Sequence, residues 1–467
     1  MHFSIPDTSE ITDGSGSTFT SFNIHINGVF HCTARFSLLF SFHEQLKKEF
    51  GVNNLPPFPP KKLFQVAGPK LEERRQMLER YIQIVSQEVA IANSDVFNQF
   101  LLTAQQETQK EQSENVSLDV YLMNGHKISI GVVSTDQTED VLESVASQID
   151  LPEDFVYYFG LYLVCKEASD GEMTIVRKLQ DFESPYISLK SATKQGVHRI
   201  VLRKSYWDSS FDDELLANKV TMNLLYVQAV NDIERRWVIT TKEQQEHLKS
   251  LQQKGSKREF LRLARTLKHY GYMQFHPCVA DYPHDQSHVL IAAGNKELSF
   301  RVKLAPDSVK EGSFKITRIR CWRITTTVPE GVRQTDSTQL ELSFEYLMAR
   351  DSLQWITIQS DQAILMSMCL QGMVEELIMK KQGKKMKKPS DRSKKGKRSF
   401  NRENSIASTL TQQPSSEAEE NTSSKVLLSH KPVPNPLKFS DLKSLKGKGN
   451  DAVGNSAFDA AIGDDDL

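Results

Sequence analysis

Two adjacent guanidinium groups, Arg74 and Arg75, sit between Leu71 and Leu78 in a stretch where Leu71, Leu78, Tyr81, Ile82 and Val85 recur at helical spacing. On that spacing both arginines fall on or beside the apolar face, where an unpaired charge is expensive to bury, so at least one of them is expected to meet an anion. The alternatives within the chain are an ion pair with Glu72 or Glu79, or side chains that snorkel to water. Two further cations, Lys61 and Lys62, end the run Leu55-Pro56-Pro57-Phe58-Pro59-Pro60, whose four prolines exclude helix and central strand and leave a stiff, extended loop. His43-Glu44-Gln45-Leu46-Lys47 begins like a zinc-protease helix but carries Lys where the second ligand belongs, and no phosphate loop or nucleophile elbow is present. The cysteines, Cys32, Cys165, Cys278, Cys321 and Cys369, lie far apart without zinc spacing, which predicts reduced, mostly buried thiols and no metal or cofactor. Binding, not catalysis, is the expected chemistry.

Composition says where such binding must be sought. With 58 basic and 59 acidic residues in 467, the net charge is -1, so bulk charge selects neither nucleic acid nor membrane and any electrostatic function is local. Met1-His2-Phe3-Ser4-Ile5-Pro6 lacks the charged and apolar regions of a signal peptide. The longest strongly apolar run, Phe155 to Cys165, is well short of the roughly 18 residues that mark a membrane span, so membrane contact is expected to be peripheral.

The elements that must position these residues read as a multidomain α+β chain. Residues 1–108 open with strands Thr18 to Ile26 and Val29 to Arg35 around the hairpin signal Asn27-Gly28, followed by a helix from Phe36 to Phe50 and then the proline loop. Residues 115–205 begin with a second hairpin, Ser117 to Leu122 and Lys127 to Val133 around Asn124-Gly125. A helix start follows at Asp136 with Glu139, and later strands include Arg199 to Arg203, a ubiquitin-like pattern. Residues 206–272 are helical up to Gly271. Residues 273–382 return to period two in Leu298 to Leu304, Phe314 to Ile319, Leu340 to Phe344 and Trp355 to Ile358, then close with a helix from Gln362 to Lys380, the pattern of a pleckstrin-homology or phosphotyrosine-binding sandwich. Lys380 to Arg398 holds eleven Lys or Arg against one Asp, and the polar remainder predicts a disordered tail over 383–467.

Three separated motifs now acquire a meaning together. Arg35-Phe36-Ser37, then Leu55 to Lys61, then Glu73-Arg74-Arg75-Gln76-Met77-Leu78 resembles the signature of Phox-homology (PX) domains, a three-stranded sheet plus helices that binds phosphatidylinositol 3-phosphate. The resemblance implies that Arg35 grips the 3-phosphate, Phe36 stacks under the inositol ring, Ser37 supports the phosphate, Lys61 meets the 1-phosphate and Arg74 the ring hydroxyls. Guanidinium forks and an ammonium suit those roles. The family usually has a second basic residue before the arginine, and here position 34 is Ala. Leu63, Phe64 and Val66 are candidates either for insertion into the bilayer or for the core.

A ubiquitin-like unit, a helical unit and a sandwich in that order resemble a FERM-like module, and a PX domain followed by such a module is similar to one branch of the sorting nexins. Lys204-Ser205-Tyr206-Trp207-Asp208, His269-Tyr270-Gly271-Tyr272 and Arg320-Cys321-Trp322-Arg323 carry that likeness. It implies a cytoplasmic, non-enzymatic adaptor, peripheral on early or recycling endosomes, whose third FERM lobe binds Asn-Pro-x-Tyr or Asn-x-x-Tyr motifs in receptor tails, with Trp322, Val374 and Ile378 lining the groove. Plain core packing is the alternative for Val374 and Ile378. Ile462-Gly463-Asp464-Asp465-Asp466-Leu467 resembles termini in this branch whose last leucine and carboxylate engage the Retriever recycling complex; a PDZ ligand and a solubilising acidic end are the alternatives. Asn455-Ser456-Ala457-Phe458 resembles an imperfect cargo motif, so the tail is expected to occupy its own groove. A cytoskeleton-linking FERM scaffold is the competing reading, and no actin-binding C-terminal helix is recognisable.

Overall fold

The computed structural model describes residues 1–12, 16–62, 66–166, 173–192, 196–305, 308–327, 339–350, 352–383, 386 and 453–454. The N-terminal sheet is three strands wide. β1 (Phe3–Ser4) and β2 (Thr8–Thr12) pair along one edge of β3 (Thr18–Ile26), and β4 (Val29–Arg35) pairs along the other. Asn27 and Gly28 between β3 and β4 have φ of 51° and 76°, the pair of positive values that a two-residue type I′ hairpin demands. Between Ile24 and His25 the register shifts, with His31 as the extra residue of β4, so Arg35 lies opposite Ser21. Helix α1 (Phe36–Phe50) starts where β4 ends, and α2 (Pro69–Gln87), α3 (Val89–Ala92) and α4 (Asp95–Gln109) complete the domain. Its core gathers Phe22, Ile24, Phe42, Leu46, Ile82 and Phe97.

The second unit places β5 (Asn115–Tyr121), β6 (Lys127–Val133), β7 (Phe159–Lys166), β8 (Met173–Lys178) and β9 (Val197–Lys204) in the order β6-β5-β9-β7-β8, with β5 and β9 parallel. Helices α5 (Thr138–Gln148) and α6 (Pro185–Lys190) belong to it. The helix start expected at Asp136 is one residue late. The Asp136 carboxylate accepts the Val133 N–H at 2.8 Å to close the preceding turn, which leaves Gln137 as the cap, with Asp140 reaching back to its N–H at 3.3 Å. The helical unit comprises α7 (Asp212–Leu215), α8 (Lys219–Glu234), α9 (Lys242–Gln253) and α10 (Lys257–Ala264).

The third unit is a sandwich of β10 (Met273–Gln274), β11 (Cys278–Ala280), β12 (Ser287–Gly294), β13 (Glu297–Ala305), β14 (Ser308–Lys315), β15 (Ile319–Thr327), β16 (Gln339–Ala349) and β17 (Ser352–Gln359), packed by α11 (Ala363–Lys381). The continuous strand expected from Phe314 to Ile319 is broken by a 3₁₀ turn over Ile316–Arg318. β14 and β15 lie at opposite ends of the strand order, so the chain must turn a corner there. One short strand, β18 (Val453–Gly454), comes from the tail and pairs with β15; the rest of the predicted disordered segment lies outside the described residues, apart from its start at Gly383 and Met386.

These units are welded, not strung. Phe182 of the ubiquitin-like unit packs into the N-terminal core, and between the two units the buried Gln105 amide donates to Ser188 Oγ at 3.2 Å and accepts from the Ser184 N–H at 2.9 Å. Gln105→Ala takes away the acceptor of the buried Ser184 N–H, while Ser188 Oγ keeps its bond to Glu183, and is expected to destabilise the chain by about 1–2 kcal/mol in urea unfolding; an unchanged midpoint would contradict this account of the interface. At the junction of the three later units, Tyr206 and Tyr270 both donate their hydroxyls to the buried Asp212 carboxylate. Glu376 accepts the backbone N–H groups of Trp207 and Asp208, each at 2.7 Å, and Lys380 donates to Asp208 at 2.5 Å, which pins the end of α11.

Candidate functional site

The first site is built where β4 runs into α1. Arg35 is the cap residue of α1, and that end has neither a capping side-chain bond nor an acidic residue in its first turn, so its N–H groups and dipole are left for an anion. The exposed Arg35 guanidinium lies 3.1 Å from the Phe19 ring centroid. One turn apart on α1, Phe36 carries the Arg74 guanidinium at 4.2 Å and Phe40 carries the Lys61 ammonium at 5.5 Å, while Ser37 is exposed between them in sequence. The proline loop serves as a strut: Phe58 packs on Phe36 at 5.7 Å, and the Pro60 carbonyl accepts from Arg74 Nη2 at 3.1 Å.

The two arginines of α2 divide their labour. Arg75 donates to Glu72 at 2.9 Å, lies 3.3 Å from Glu79 and donates to the Ile5 carbonyl, so it takes the internal ion-pair alternative. Its hydrogen bond to Glu72 raises the Arg75 pKa and pulls the Glu72 carboxyl down to about 2. Burial alone lowers Arg74, and neither Arg74 nor Arg35 has a carboxylate partner among the described residues. Val66 is buried, while Leu63 and Phe64 lie outside the described residues. Phe19 and Phe40 were not singled out by the sequence; both are ordinary strand and helix aromatics until the register places cations on them.

The second site is the edge of the sandwich. β15 pairs with β16 on one side, and on its other side Trp322 and Cys321 face Val453 and Gly454 of β18, antiparallel. The Trp322 side chain is 1% exposed, and its indole N–H donates to Ser367 Oγ of α11 at 2.9 Å. Trp322 thus offers its backbone to the edge while its ring fastens β15 to α11. Val374 is 6% exposed, and Ile378, one turn on, is partly buried against the same core. Leu467 and Asn455 to Phe458 lie outside the described residues.

No group of three His, Cys, Asp or Glu side chains suited to a metal occurs among the described residues, and no described helix is long and apolar enough to cross a membrane. Family models match in series along the chain: the PX domain over residues 22–104, the sorting nexin 17/27/31 FERM F1 lobe over 116–207, the sorting nexin 17/31 FERM F2 lobe over 208–268, and the sorting nexin 17 FERM C-terminal domain over 271–378. Sorting nexin-17 of Homo sapiens is 50% identical over 477 residues, covering 100% of both chains, and sorting nexin-17 of Danio rerio is 48% identical with the same coverage. Sorting nexin-31 of Homo sapiens is 37% identical over 385 residues, 81% of this chain and 86% of its own.

Proposed function

Because the chain belongs to the sorting nexin family, in the branch that joins a PX domain to FERM lobes, we propose that it is a non-enzymatic endosomal sorting adaptor, peripheral on the cytosolic face of early and recycling endosomes. Its PX domain holds phosphatidylinositol 3-phosphate between Arg35, Ser37 and the α1 N-terminus on one side and Lys61 and Arg74 on the other, with Phe36 as the floor. Its third FERM lobe takes Asn-Pro-x-Tyr or Asn-x-x-Tyr tails of lipoprotein-receptor and integrin type, and Leu467 meets a Retriever-type recycling complex. The adaptor returns receptors to the cell surface and keeps them from lysosomal degradation. Lipid and cargo bound together set the address, since tethering makes the second binding step intramolecular.

The observation that carries the cargo reading is the pairing of β18 with β15: this edge already accepts an extended strand beside α11, the mode by which sheets take linear peptides. Trp322→Ala would open a core cavity and confuse lost binding with lost folding. Ile378→Ala is the cleaner probe. It is expected to weaken an Asn-Pro-x-Tyr peptide roughly five- to tenfold by calorimetry, from the apolar area lost, with a far smaller loss of stability than Trp322→Ala because Ile378 is only partly buried. Equal affinity would remove α11 from the groove.

A further inference from the structure

Val374 and Ile378 belong to a longer stripe on α11. Ile364, Ser367, Gln371, Val374 and Ile378 are spaced i, i+3, i+7, i+10 and i+14, which at about 100° per residue confines them to roughly 80° of the helix surface. The first two turns of that stripe are covered by the N-terminal domain. Gly28 lies so close that a Cβ there would stand 2.5 Å from Ile364 Cδ1. His2 Nε2 lies 2.9 Å from Ser367 Oγ, and the Met1 main-chain nitrogen donates to Gln371 Oε1 at 2.8 Å. These contacts hang from a firm support, since the His2 N–H donates to Asn27 Oδ1 at 2.9 Å, the Asn27 N–H donates to the His2 carbonyl at 2.7 Å, and the flanking Phe3 and Ile5 are buried.

Resting on the cargo-groove reading above, we infer that the PX domain is the end wall of that groove and that His2 is a positioning residue for it, acting through Ser367 on Trp322. Indole N–H is only a donor, so Ser367 Oγ must accept from Trp322. Its own O–H is then left for the His2 ring nitrogen. Burial holds His2 down at about 4, so the ring is neutral near pH 7 and able to accept. The chain Trp322 to Ser367 to His2 fixes the spacing between β15 and α11, the two walls between which a peptide strand must fit. The same face of one helix is thereby shared, its first half closed by the lipid-binding domain and its second half carrying the partly exposed Ile378 beside the buried Val374.

The test uses the full chain carrying Val453→Pro, which removes the tail as a competitor for the same groove, and an Asn-Pro-x-Tyr peptide. His2→Ala is expected to weaken the peptide about three- to tenfold, the range of one lost hydrogen bond, while His2→Gln, which still offers an acceptor, restores it. Peptide addition to the His2 protein is expected to slow amide hydrogen exchange at residues 2–5 and 26–28. If His2→Ala binds as well as its parent while Ile378→Ala does not, the inference fails and the groove stands. If Ile378→Ala also binds normally, the groove reading fails and takes this one with it. Should His2→Ala unfold, the exchange experiment decides alone, and unaltered exchange overturns the proposal.

Discussion

Arg35→Ala is expected to lower binding to vesicles containing phosphatidylinositol 3-phosphate by about a hundredfold, with no loss of stability. The side chain is exposed, makes no capping bond and, among the described residues, lies over the Phe19 ring with no carboxylate partner, so its removal is expected to leave no buried group unsatisfied. What disappears is a fork of two charge-assisted hydrogen bonds, each worth about 1.5–3 kcal/mol, and the low end of their sum, about 3 kcal/mol, gives roughly two decades in Kd. Arg35→Lys should recover only part of the affinity, because an ammonium is a point charge that cannot bind two phosphate oxygens in one plane. Arg75→Ala should do the reverse: its partners are Glu72, Glu79 and the Ile5 carbonyl, so stability falls while lipid binding is kept. Undiminished vesicle binding by Arg35→Ala in a sedimentation assay would sink the lipid site.

Why Arg35 points to that site shows what the sequence could and could not give. Hairpin, proline strut and helix spacing follow from local rules and fall where turn residues and periodicity put them, whereas the FERM-like succession of units was legible through a resemblance. The direction of Arg35 does not. Counted from the Asn27-Gly28 turn with an unbroken ladder, Arg35 would pair with Thr20, and a one-residue slip turns every side chain to the other face. His31 makes the difference. As the extra residue of β4 it is buried against the Leu101 carbonyl at 3.0 Å and the Phe182 ring at 5.7 Å, two partners some 70 and 150 residues away in sequence, and it sets Arg35 opposite Ser21. A bulge paid for by distant contacts has no local signature. Trp322 illustrates the same limit from the other side: its place in a strand is legible from alternation, but whether its ring faces a peptide or Ser367 depends on a helix that begins about 40 residues later.

The tail supplies the second large effect. Val453→Pro is expected to raise the apparent affinity for an Asn-Pro-x-Tyr peptide about tenfold or more. Val453 faces Trp322 and Gly454 faces Cys321, so β18 lies along the edge proposed for the cargo peptide, where one strand would exclude the other. A tethered segment competes at an effective concentration in the mM range, so even a weak two-residue ladder is expected to suppress cargo binding by the factor by which its docked form outnumbers its free form. Proline has no N–H to give to a ladder and fixes φ near −65°, which an extended antiparallel strand tolerates poorly. A melting curve of the Val453→Pro chain that overlays the wild type is the expected control. Deleting residues 450–460 should raise affinity by the same factor. A synthetic peptide of residues 449–460 added to the deleted chain should compete with cargo, but far less effectively per mole than the tethered segment. Should calorimetry give one affinity for the wild type, Val453→Pro and the deletion, the pairing of β18 with β15 would have to be too sparsely populated in solution to act as a competitor, and cargo would enter an open edge.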